Sequence, residues 1–219
     1  MVDWTHETPY QLHVERLGEA SSSPIDRTTM AARAAFRMIE DVPLYFWFAR
    51  IHFGLAPNTA RPLTPAGAIG GLPAQALTQG HLSLRPGEAA LLTIDHADAA
   101  YCSAQVCDWW FRAIDIDRHR SSLTQADAAL PGSPLRFVVA PHDPGVTDWL
   151  DTGGLQETLL ILRWQGLPTN RSSIGPNFDL KIFKVDDLPS DLPRVTPEER
   201  ANQIQRRAEA AMRRYPDRS

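Results

Sequence analysis

Cysteine is nearly absent. The 219 residues hold two thiols, Cys102 and Cys107, too few for a disulfide framework, and they stand five apart in a segment that alternates like a strand. Strand residues five apart are separated by about 16 Å and point to opposite faces, so this pair cannot bridge. Nor is the spacing one that zinc sites favour. Both read as buried, reduced thiols. Long apolar runs are missing too. The longest, Leu44 to Phe48, falls far short of the roughly 20 residues a membrane span needs. No basic-then-apolar segment follows Met1, so no secretory signal is expected. A net charge of −4 leaves no basic excess to attract nucleic acid or an acidic membrane surface. The chain also lacks a Gly-rich phosphate loop, a G-x-S-x-G elbow and a His-x-x-x-His metal pair. Together these absences remove the commonest enzyme signatures and imply no cofactor. They point to a cytoplasmic protein with neither nucleic-acid nor membrane partners.

What is present suits one substantial globular domain with appended helices. Hydrophobic residues make up 43% and charged residues 22%, ordinary values for a folded chain. Eighteen prolines are spread rather than clustered, which suggests short strands and many turns. Residues 1–54 read as an arm, a Ser-rich link and helices. Ser23-Pro24-Ile25-Asp26 has the chemistry of a helix start, and Met30, Ala31, Ala34, Ala35, Met38 and Val42 follow at helical spacing. Pro43 is expected to end that helix. A second, shorter one should run through LYFWFARIHF to Gly54, apolar nearly all round and therefore buried against something: a homo-oligomer contact or partner domain at residues 43–54.

Residues 55–80 read as a loop rich in Pro, Ala and Gly, and residues 81–190 as a β-sandwich. Leu82 and Leu84 alternate with polar neighbours, Arg85-Pro86-Gly87-Glu88 is a turn, and Glu88 to His96 is a nearly continuous apolar strand. In Ala100 to Asp108, Cys102, Ala104 and Val106 share one face while Tyr101, Ser103 and Gln105 share the other. Leu135 to Ala140, Thr158 to Trp164 and Leu180 to Val185 add further strands, with no helical pattern long enough for βαβ crossovers between them. The expected class is α+β, mainly β: an antiparallel, jelly-roll-like sandwich with N-terminal helices and a C-terminal amphipathic helix. That last helix occupies 191–219. Thr196-Pro197-Glu198-Glu199 is a capping box with Pro at the first helical position. Ala201, Ile204, Ala208, Ala211, Met212 and Tyr215 form its apolar stripe, and its arginines read as a solvated face.

One stretch concentrates chemistry. Val138 to Gly154 (VVAPHDPGVTDWLDTGG) places His142, Asp143, Asp148, Trp149 and Asp151 in a loop between two apolar runs. Asp148 and Asp151 can fix a tight turn by accepting backbone amides, or one of them can act as a general base beside the indole. Arg163, one strand away, can pair with a loop carboxylate or clamp an anionic substrate. Tyr101 and Gln105 lie on the polar face of their strand, which meets either solvent or a polar-walled cavity. Asp115, Asp117 and His119 alternate, so an extended strand would turn all three one way as metal ligands. Arg118 and Arg120 beside them favour surface ion pairing instead, and no metal is expected.

On these residues the chain, from about Pro24 to its end, resembles the C-terminal half of an uncharacterised bacterial family, domain of unknown function twelve-fourteen. The stretches are LRPGEAALLTI, AYCSAQVCDWWFRAIDIDRHRSSL, FVVAPHDPGVTDWLDTGG, LILRWQGLP and VTPEER, and DPG-x-x-x-WLDT is the most specific. The resemblance implies a jelly-roll-like domain, often found after a second β domain in a longer chain, and brings no established activity. The family pattern carries Asn where this chain has Asp148 and His where it has Leu155. The functional expectation is a small-molecule site under the 141–154 loop, with Asp151, Asp148 and Arg163 as catalytic residues and Tyr101, Gln105, Trp149 and His142 binding. The class is a hydrolase or lyase on an apolar carbonyl or ester compound. The alternative is a non-catalytic binding or oligomer-assembly module.

Overall fold

The computed structural model describes residues 13–15, 17–18, 26–65, 67, 71–130, 132, 134–168 and 176–214. Two sheets face each other. The first has the order β1 (Thr59–Ala60), β3 (Gln75–Ser83), β9 (Glu157–Gln165), β5 (Tyr101–Cys107) and β6 (Ser122–Thr124), with β2 (Thr64–Pro65) also on β3. The second has the order β10 (Asn177–Lys184), β4 (Glu88–Asp95), β7 (Leu135–Ala140) and β8 (Trp149–Asp151). Every pairing is antiparallel except β7 with β8. This is the expected mainly β, α+β sandwich.

Period-two alternation decides what the sandwich encloses. Cys102, Ala104 and Val106 on β5, with Leu160, Leu162 and Trp164 on β9, meet Ala90, Leu92 and Ile94 of β4 and Phe137 and Val139 of β7 in one core between the sheets. The turn at Arg85–Glu88 forms as expected. Glu88 N donates to Arg85 O at 2.9 Å, the Glu88 carboxylate accepts from Arg85 N, and Gly87 supplies φ +77°. The sandwich begins earlier than position 81: the stretch read as loop contributes β1, β2 and the first six residues of β3. Its small and proline residues hid strands that are held by pairing to β3 and β9 rather than by intrinsic propensity.

One helix, not two, precedes the sheets. α1 runs without interruption from Arg27 to Phe53 with Pro43 inside it. Proline removes one N–H and crowds the preceding turn. The carbonyl it orphans is that of Ile39, a residue 73% exposed, so water can take the lost bond's place. Asp26 is the cap, accepting from Thr29 N at 2.9 Å, while Ser23 and Pro24 lie outside the described residues, as do the arm and the Ser-rich link apart from a few positions. Gly54 closes the helix, its N–H donating to Arg50 O.

Among the described residues the helix docks only by its end. Ala49 and His52 are buried, Phe48 and His52 contact Phe111, and Phe53 packs on His81 and Trp109. Leu44, Tyr45, Phe46 and Trp47 are exposed, as are Met30, Phe36, Met38, Ile39 and Val42. Of residues 43–54, then, only the latter half finds a partner among the described residues. No helix among them is long and apolar enough to cross a membrane.

α2 (Pro197–Arg214) starts with the expected capping box: Thr196 N donates to Glu199 Oε2 at 2.8 Å and Glu199 N to Thr196 Oγ1 at 3.2 Å. Its buried face differs from the expected stripe. Arg200, Arg207, Ala210 and Ala211 are buried, Ala201 and Met212 are exposed, and Tyr215 lies outside the described residues. Two arginines hold the helix to the sandwich because its small apolar residues supply too little area to do so.

Candidate functional site

Parallel pairing of β8 with β7 makes residues 141–148 double back along the strand they leave, and side chains hold that return. Asp143 Oδ1 accepts from Gly145 N at 2.9 Å. Arg200 grips both oxygens of Asp143, at 2.9 and 3.2 Å, and also donates to the Val146 and Thr147 carbonyls. Its guanidinium lies 5.0 Å from the ring centre of Trp149, whose Nε1 donates to Ala140 O at 3.0 Å. Both oxygens of Asp148 accept from Ala129 N, at 3.1 and 3.0 Å. Burial raises the Asp148 carboxyl above its ordinary range, against the lowering pull of that amide and of Arg120. Asp148 and Trp149 thus brace the corner, and both are buried.

Asp151 differs. It is 5% exposed, and its N–H donates to Arg120 O at 3.1 Å. One carboxylate oxygen accepts from Gly153 N at 2.8 Å, and the other lies 2.7 Å from His119 Nδ1. His119 arrives on a turn in which its own N–H and that of Arg118 donate to Asp115 O. Arg207 Nε pins the turn through Ile116 O at 2.7 Å. Gly153 adopts φ +62°, and a Cβ there would stand 2.6 Å from Ile114 Cγ2, so the backbone lies against the loop that carries the imidazole. A carboxylate accepts from Nδ1, which in the neutral ring leaves Nε2 with its lone pair. The His119 side chain is 35% exposed. A buried acid that orients a half-open imidazole is an arrangement suited to moving protons.

The remaining expectations divide. Asp115, Asp117 and His119 lie on this turn, not on an extended strand, and so do not present one ligand face. Among the described residues no group of three or more His, Cys, Asp or Glu is placed to hold a metal. Asp115 is held up by a hydrogen bond with Asp117, and secondarily by burial. Arg118 pairs with Asp115 at 3.7 Å, but Arg120 turns inward to Thr147 O and Gln203. His142 is exposed and lines a depression of about 260 Å³ with Glu88, Pro141, Asp143 and Gln156. Asp151 is not in its wall. Tyr101, Gln105 and Arg163 are on the outward face of the first sheet, opposite the core-facing Cys102, Ala104, Val106, Leu162 and Trp164. They do not converge with Asp151, which pairs with Ala140 at the edge of the second sheet. Both thiols are free and buried, and burial pushes each up to about 12.

Sequence reasoning missed three participants: His119 as partner of Asp151, and Arg200 and Arg207 as the buried anchors of α2. The arginines carried a signal, since positions 200, 207 and 211 share one helical face, but charge argued for solvent. The His119–Asp151 contact carried none, because it joins residues on separate segments.

No protein-family model and no curated protein matches the chain. Among solved structures it is similar to an uncharacterized protein from Burkholderia cenocepacia, at TM-score 0.64 and 21% identity over 78% of this chain. That likeness shows a shared mainly β fold. The aligned region is 48% of the Burkholderia chain, so this chain spans about half the length of its structural neighbour.

Proposed function

We propose that the protein is a small-molecule enzyme of the hydrolase or lyase type, with His119 as general base and Asp151 as the residue that orients it. The 2.7 Å contact between His119 Nδ1 and a buried carboxylate whose other oxygen is already satisfied carries this reading. In the hydrolytic form, Nε2 takes a proton from water as its oxygen bonds to the carbonyl carbon of an ester. The imidazolium then returns that proton to the departing alkoxide as the ester C–O bond breaks. The resemblance to family twelve-fourteen is retained within this proposal.

The test is turnover of a panel of small esters, lactones and thioesters by wild type, His119→Gln and Asp151→Asn, with folding checked by circular dichroism. Loss of a general base is expected to cost kcat/KM roughly a hundredfold or more. Equal turnover in His119→Gln, or none by wild type across the panel, overturns the reading.

A second reading, assembly, has its own observation. Ala31, Ala35, Met38, Val42, Tyr45, Ala49 and His52 repeat at alternating spacings of four and three along α1. Only the last two of these are buried, so the seam continues beyond the body at the period that pairs helices. A second copy supplies an identical seam. Sedimentation equilibrium of wild type against Val42→Glu/Tyr45→Glu tests it, and a monomer at all concentrations rules it out.

A further inference from the structure

From Met30 to Trp47, α1 carries nine large apolar side chains that are 48% to 73% exposed. Its seam of Ala31, Ala35, Met38, Val42 and Tyr45 runs on into Ala49 and His52, which are buried. Among the described residues the seam therefore faces the body at one end and is exposed along the rest. A helix laid on the exposed part must stop before residue 48, where Phe48 and His52 meet Phe111. The free span, residues 27–46, is about 30 Å of helix.

Residue size changes along this span. Thr28, Ala31 and Ala35 are small, whereas Met38, Val42 and Tyr45 are large. Two parallel helices would set alanine against alanine at one end and tyrosine against tyrosine at the other, which no single interaxial distance fits. They would also bring both sandwiches to the same end, where each seam is already covered by its own body.

An antiparallel pair sets first heptad positions against fourth ones. In one register Thr28 meets Tyr45 of the second copy, Ala31 meets its Val42 and Ala35 its Met38, each layer occurring twice about a twofold axis. Every layer then joins a small residue to a larger one. Arg27 of each helix stands level with Phe46 of the other, so the overlap is the free span and neither body is struck. One heptad deeper, Ala31 would fall against Ala49, which is buried. One heptad shallower, Val42 and Tyr45 would be left uncovered. Met38, Ile39, Val42, Tyr45 and Phe46 each expose on the order of 100 Å² at their degree of burial. Covered in both copies they amount to about 1,000 Å², what a specific interface needs.

We propose, resting on the assembly reading, that α1 joins two copies of this chain as an antiparallel helix pair with its twofold axis between Phe36 and Arg37. The two sandwiches then stand at opposite ends of the pair.

Single variants Ala31→Cys and Val42→Cys test the orientation. Both positions are exposed, and the native Cys102 and Cys107 are buried. Oxidised alone, neither variant is expected to give a covalent dimer, because each new thiol lies about 16 Å along the axis from its mate, too far for a disulfide. Mixed, allowed to exchange and then oxidised, the two should give a cross-linked dimer. Sedimentation equilibrium of the wild type runs alongside. A wild type that is monomeric at all concentrations overturns the assembly reading and the antiparallel pair together, and so does a monomer that sediments with anionic vesicles instead. A dimeric wild type whose single variants cross-link with themselves overturns only the antiparallel pair. So does a dimeric wild type with no cross-link in any sample.

Discussion

Arg200 reaches 57 residues back along the chain to hold Asp143 through both carboxylate oxygens, at 2.9 and 3.2 Å. The same guanidinium serves two loop carbonyls and lies over Trp149. The C-terminal helix therefore sets the corner from which β8, and with it Asp151, departs.

Truncating Arg200 removes donors from Asp143 and from the Val146 and Thr147 carbonyls at once, although Asp143 keeps Gly145 N and Thr147 O keeps Arg120. Arg200→Ala is expected to lower unfolding free energy by about 3 kcal/mol, with Arg200→Lys recovering only part because an ammonium cannot make the paired contact. Urea denaturation of the two variants measures this. A loss under about 1 kcal/mol in Arg200→Ala would place the clamp among surface ion pairs instead.

Asp148 makes stability depend on pH in a definite direction. Its folded pKa is raised above the ordinary 3.8 by burial, so the folded state binds the proton more tightly than the unfolded chain does. The stabilisation from that proton is complete below the ordinary value and is lost as pH rises through the raised one. Asp148→Asn has no such proton. Its stability relative to wild type should climb across that window and then level off, and a difference independent of pH would contradict the assignment.

Gly153 is needed for its backbone and for the space beside it. Gly153→Ala adds a Cβ at φ +62°, 2.6 Å from Ile114 Cγ2. The expected cost is about 2 kcal/mol or more, with displacement of the loop that carries His119. Pairing it with Ile114→Ala should restore part of the loss, and thermal melts of the three variants decide whether it does.

Cys102 and Cys107 are buried, and burial pushes both to about 12. A disulfide reagent at neutral pH should label neither in the folded protein and both in guanidinium. Fast labelling of the native state would show that the sandwich opens near β5.

The mutually consistent local signals were legible in the amino-acid order. Alternation in Tyr101–Cys107, the apolar run Leu135–Ala140, the turn at Arg85–Glu88 and the capping box at Thr196–Glu199 each depend on neighbours within a few residues, and each formed as read. The mainly β sandwich followed from them. Pro43 was misread because the rule that proline ends helices is local, whereas α1 continues into an end packed on Phe111, His81 and Trp109.

Tertiary structure alone decided the sites. Asp151 stood out in sequence as one carboxylate among several. What distinguishes it from Asp148 is that its second oxygen meets His119, 32 residues away, while both oxygens of Asp148 go to a backbone amide. Arg163, Tyr101 and Gln105, expected beside Asp151, were carried to the outer face of the other sheet by strand order. The Val138–Gly154 stretch marked by its carboxylates is first a corner, clamped by α2, and its chemistry depends on the one residue that the fold brings to it from outside. Propensity and period act along the chain, but a proton-moving pair depends on distance through space, which only the packed sheets determine.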